Sequence, residues 1–135
     1  YTLWHTLSLH DALPIFNEQG IENLHKKEMA LWEKLKTGLQ NINGVITYCA
    51  NGTENQNPVL CFNVKGFEAA DVGTMLDVDY NIATRTGLHC APKVHEGLGT
   101  VDMHGTVRMS IGPFNTEEDI NTVIEAVQEI AGIRN

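Results

Sequence analysis

The chain has 135 residues, 42% hydrophobic and 19% charged, which fits one compact domain with a single core rather than a fibrous, disordered or multi-domain protein. Nine Lys and Arg against 17 Asp and Glu leave a formal charge of −8, a balance that repels phosphate backbones and anionic lipid and so excludes nucleic acid and membrane surfaces as partners. Three cysteines, Cys49, Cys61 and Cys90, match neither a CxxC pair nor a zinc ribbon, and the odd count argues against a closed disulfide framework, so a reducing cytoplasm is the expected setting.

Residues 1–16, YTLWHTLSLHDALPIF, lack a basic leader and are interrupted by His5, His10, Asp11 and Pro14. They read as neither signal nor membrane span, and their pattern changes abruptly at Asn17. The expectation is a non-native or disordered extension over 1–16 and one domain over 17–135.

From Ile21 to Ile42 the apolar residues Ile21, Leu24, Met29, Trp32, Leu35, Leu39 and Ile42 recur at three- to four-residue steps, which predicts a long amphipathic helix ended by Asn43-Gly44. Val45–Tyr48 reads as a short strand rich in β-branched residues, and residues 52–57 as a polar loop. Pro58–Val64 is a second strand whose near-continuous apolar content predicts burial on both faces, with Cys49 and Cys61 in the core. A second helix is predicted over Glu68–Tyr80, and Ile82 to Thr84 is predicted to begin a third strand. Irregular, glycine-rich sequence follows, and then a fourth strand over Gly105–Ile111. Asn115-Thr116-Glu117-Glu118 supplies an N-cap and first-turn acids for a closing helix with Ile120, Val123, Ile124, Val127 and Ile130 on one face. The order predicts a two-layer α/β sandwich, a small and mostly antiparallel sheet of three or four strands with helices on one face.

Chemistry concentrates between Thr84 and Gly112. There Arg85, Lys93 and Arg108 outweigh Glu96 and Asp102 within a chain of charge −8, and five of the twelve glycines are gathered. A basic, flexible segment suits an anion. Arg108 falls inside a predicted strand, where a planar guanidinium fork suits a carboxylate gripped bidentately. The competing reading is an edge-strand Arg paired to Asp or Glu. Cys90 follows His89 in Arg85-Thr86-Gly87-Leu88-His89-Cys90-Ala91-Pro92, a setting that suits a nucleophilic thiolate, although small apolar filler is the common role of a single cysteine. His89, Cys90, His95 and His104 as zinc ligands is a further reading, with spacings that match no standard pattern.

Arg85-Thr-Gly-Leu-His-Cys-Ala-Pro followed by Gly105-Thr-Val-Arg-Met-Ser-Ile-Gly-Pro-Phe-Asn-Thr-Glu-Glu-Asp-Ile120 resembles the C-terminal small domain of class V aminotransferase-fold, pyridoxal-phosphate (PLP) enzymes, above all cysteine desulfurases and selenocysteine lyases. The resemblance implies that Cys90 is the loop nucleophile, which takes sulfur from a PLP-bound cysteine as a persulfide and leaves alanine. It implies that Arg108 clamps the substrate carboxylate and that Arg85 and His89 support substrate or thiolate. A small amino-acid substrate, a sulfur-acceptor protein and a homodimer are implied for the whole enzyme. Pro92, His95 and the glycine-rich piece depart from the desulfurase pattern. The one His-Lys pair, His25-Lys26, lies on a charged helix face, so PLP and its Schiff-base lysine are expected to belong to a domain absent from this chain, which alone is expected to be inactive. A class V aminotransferase or lyase acting on another amino acid, and a non-catalytic sulfur carrier, are the alternatives.

Overall fold

A computed structural model describes residues 14, 17–18, 20–50 and 56–133. The extension expected over 1–16 therefore lies, apart from Pro14, outside the described residues, as does most of the 52–57 loop.

Helix α1 (Ile21–Gln40) puts Leu24, Leu31, Trp32, Leu35 and Leu39 on its buried face, while Ile21 is exposed at its first turn. Strand β1 (Val45–Tyr48) pairs antiparallel with β2 (Val59–Val64). Helix α2 (Ala69–Tyr80) stops at Asn81, whose backbone is left-handed at φ 59°, and Ile82 N–H then closes on the Leu76 carbonyl at 2.8 Å. Strand β3 (Arg85–Gly87) thus begins later than the expected start at Ile82–Thr84. Ile82 is spent on the helix end and the core, and only the three residues after Thr84 reach the neighbouring strand.

The glycine-rich stretch expected to be irregular contains a short helix, α3 (Pro92–Leu98), with proline in its first turn and left-handed Gly99 as its C-cap. Strand β4 (Thr106–Ser110) and helix α4 (Glu117–Gly132) complete the chain. Thr116, not Asn115, caps α4: its hydroxyl accepts from Asp119 N–H at 3.2 Å, and the Asp119 carboxylate accepts from Thr116 N–H at 2.9 Å. The Thr116 N–H, and then the Asn115 amide, which donates to the same carboxylate, hold the Asp119 carboxyl below its ordinary value.

The sheet is four-stranded and antiparallel, in the order β1-β2-β4-β3. One face carries Leu60, Phe62, Val64, Val107 and Met109 and is sealed by α1, α2 and α4 into the core. Burial of Trp32 is completed by a hydrogen bond from its indole N–H to the Val59 carbonyl, 3.1 Å. Gly38 and Gly73 allow close approach there: a Cβ at either would collide with Ile124 or Thr86. The other face is only partly covered. Cys61, expected in the core, is half-buried there, because strand alternation turns it away from the helices.

Candidate active site on the open face of the sheet

Strand register assembles the site. Directly paired residues share a face, so the pairs Tyr48–Cys61, Cys61–Arg108 and Arg108–Arg85 lay one row of four side chains across all four strands. Two guanidinium-bearing residues thus stand opposite each other, an arrangement that costs stability unless an anion lies between or above them. β4 is an interior strand, so Arg108 is no edge-strand residue. Among the described residues neither Arg85 nor Arg108 has a carboxylate within ion-pair distance, and the Arg108 Nε–H is buried without a hydrogen-bond partner. The pairing to Asp or Glu that competed for Arg108 is not formed.

Above this row α3 forms the far wall of a cleft of about 600 Å³. Tyr48, Cys61 and Arg108 line it from the sheet, His89 and Thr106 from the β4 side, and His95 from the helix. No Asp or Glu is among its described lining residues. Burial holds the Tyr48 phenol above its ordinary value, so it stays a donor.

His89 and Cys90 both adopt left-handed backbone conformations, φ 52° and 61°, which cost non-glycine residues of order 1 kcal/mol. An anchor offsets this: His89 Nε2 lies 3.1 Å from both the carbonyl and the hydroxyl oxygen of Thr106. Because a carbonyl only accepts, Nε2 carries the proton and donates, which leaves His89 Nδ1 buried without a partner. Burial, then the Arg108 guanidinium, with smaller contributions from His95 and Arg85, hold the His89 imidazole below its usual value against the opposing pull of the Thr106 bond. The neutral ring is favoured. Anchoring His89 turns Cys90 outward: its thiol is exposed, outside the cleft lining, with Arg85 Nη2 at 4.0 Å from Sγ.

Arg85, His89, Cys90 and Arg108 are therefore neighbours, with His89 and Arg108 in the cleft wall and Arg85 and Cys90 outside it. The four side chains of the zinc reading do not converge, since His104 turns away to Glu68 at 3.5 Å. Tyr48 and Cys61 were missed as cleft residues. A β1–β2–β4 register, which no single strand's pattern reveals, is what brings them beside Arg108.

The profile of the Aminotransferase class-V family matches residues 3–123. The chain belongs to the class V aminotransferase family. The match takes in part of the stretch set apart at the N-terminus. Among curated relatives, a probable cysteine desulfurase of Methanothermobacter thermautotrophicus is 32% identical over 127 residues, 94% of this chain and 31% of the relative. One from Synechocystis is 34% identical over 123 residues, 90% and 28% respectively. Among solved structures, the apo cysteine desulfurase of Thermococcus onnurineus superposes with a TM-score of 0.79 at 30% identity, covering 90% of this chain and 29% of that one. The chain thus spans about 30% of the length of the proteins it matches.

Family members are PLP-dependent, but the described residues do not fit that cofactor by themselves. No lysine lines the cleft, and Lys26, the one lysine that follows a histidine, is exposed on α1, which packs against the opposite face of the sheet. No described helix is long and apolar enough to cross a membrane.

Proposed function

We propose that this chain is the substrate-clamping and sulfur-accepting part of a cysteine desulfurase, in which Arg108 binds the amino-acid carboxylate and Cys90 receives the sulfur. The observation that carries the reading is the cross-strand pair of Arg108, in the cleft wall, and Arg85, at its edge, neither with a carboxylate in ion-pair distance among the described residues, which supplies a cationic site and leaves its counter-ion to a ligand. Arg108 grips the carboxylate with its guanidinium fork, and Tyr48 donates from the same wall. His89, neutral and tied to Thr106, holds the Cys90 backbone in its outward pose and excludes a second charge from the cleft.

Cys90 is exposed and has the Arg85 donor beside its sulfur, so it meets the substrate's sulfur end as nucleophile. In balance, L-cysteine and the Cys90 thiol give L-alanine and a Cys90 persulfide. The bond from carbon to sulfur in the substrate breaks, a sulfur–sulfur bond forms on Cys90, and a proton completes alanine. PLP is held, in this reading, by a part of the enzyme other than the described residues, and a sulfur-acceptor protein then discharges Cys90.

The test is a chimera in which residues 20–133 replace the corresponding segment of the Methanothermobacter relative. It is expected to release alanine from L-cysteine and to carry a persulfide on Cys90 by mass spectrometry. Cys90→Ser is expected to abolish the persulfide with cofactor absorbance retained. Unchanged turnover of an amino acid in the Cys90→Ser chimera would point instead to a class V enzyme in which this thiol is incidental.

A further inference from the structure

One titratable side chain in the cleft wall has no part in the reading above. His95 is 3% exposed, the most enclosed of the cleft's polar residues apart from Thr106, and its ring lies 5.8 Å from that of His89, tilted by 46°. Its Nδ1 is 2.7 Å from the hydroxyl of Thr100, which is wholly buried.

The hydroxyl hydrogen has two acceptors available. The His95 carbonyl is 3.5 Å away, too far for a useful O–H···O bond, and already accepts from the Thr100 backbone N–H at 2.9 Å. Nδ1 at 2.7 Å is the better acceptor, so Thr100 donates to it and the ring proton resides on Nε2. Among the described residues that Nε2–H has no hydrogen-bond partner and is not fully enclosed, and His95 lines the cleft. Arg108 lines the same cleft, so a ligand oxygen bound there can satisfy this unpaired donor.

We propose that His95 is a second ligand-contacting donor of this cleft, its Nε2–H hydrogen-bonding an oxygen of the carboxylate that Arg108 holds. The proposal rests on the reading of the cleft as an amino-acid carboxylate site. Thr100 is a positioning residue in it, fixing the tautomer and ring orientation from behind. The pair divides the work: Arg108 supplies charge and bidentate geometry, while His95 supplies a single N–H donor from the opposite wall, so the carboxylate is held between sheet and helix.

The experiment is nitrogen-detected NMR of the full chain, with the imidazole and guanidinium nitrogens followed during titration with L-alanine. In the free chain His95 is expected as the Nε2–H tautomer, and Thr100→Val is expected to mix the tautomers and weaken alanine binding about threefold. His95→Phe is expected to weaken it about tenfold, with His95→Gln, which keeps an N–H donor, falling between. An Nδ1–H tautomer in the free chain would overturn the proposal, as would wild-type alanine affinity in Thr100→Val and His95→Phe, or a His95 response to L-cysteine but not L-alanine. If the Arg108 Nε–H shifts normally in those cases, the carboxylate reading survives alone. If Arg108 fails to respond in the unaltered chain, both readings fall.

Discussion

The two faces of one four-stranded sheet are built from the same strands and obey opposite rules. On the helix-covered face Leu60, Phe62, Val64 and Val107 are fully enclosed, and Trp32 satisfies its indole N–H on the Val59 carbonyl. On the open face, one residue along each strand, stand Tyr48, Cys61, Arg108 and Arg85, with like charges opposite one another and a buried guanidinium N–H unpaired. The first face is arranged for stability and the second against it, the pattern expected where a site waits for a ligand.

Substitutions that respect this division have sharply different effects. Trp32→Ala is expected to cost about 3–5 kcal/mol by urea denaturation, because the site cannot collapse around so large a void. Arg108→Ala is expected to leave stability unchanged or slightly raised, since it removes a like-charge cross-strand pair, while eliminating the alanine response. A large loss of stability in Arg108→Ala would break the comparison. Between the faces, Gly105→Ala is expected to cost about 2 kcal/mol: its φ of 102° suits glycine, and a Cβ would collide with the Gly87 carbonyl in the neighbouring strand. Thr116→Ala is expected to cost about 1 kcal/mol through loss of the α4 capping box, with no effect on the cleft.

The smallest effect is pH-dependent and belongs to the open face. The folded state holds His89 below the ordinary imidazole value, so the unfolded chain binds more protons as pH falls. Its contribution is fully present above the unfolded value of about 6.5 and is lost as pH drops from there through the folded value. His89→Gln is expected to flatten this part of the stability–pH curve.

The helix-covered face was the more legible of the two in the sequence, because burial against helices writes a period into the chain. Trp32, Leu35 and Leu39 in α1 and Val127 and Ile130 in α4 show it directly. The open face is written across strands rather than along them. Arg108 stood out as a cation inside a strand, whereas Cys61 looked like core because alternation within PVLCFNV is masked by apolar residues on both sides. Strand β3 has only three residues, and its position is fixed by its pairing with Arg108 and Val107 and not by any local pattern. Helix α3 is too short for a clear period, although proline at its start and glycine at its end do mark it. His95 could be singled out by type, but its orientation depends on Thr100, which only the fold brings to it.

The central claim is that the open face holds a carboxylate against Arg108 while Cys90 remains free outside it. The most direct test is the alkylation rate of each thiol by iodoacetamide, read by mass spectrometry with and without saturating L-alanine. Cys90 is expected to react fastest and to be indifferent to alanine, and Cys61, beside Arg108, to react slowly and to be slowed further. A Cys90 no faster than Cys61, or a Cys61 that alanine leaves untouched, would contradict the account.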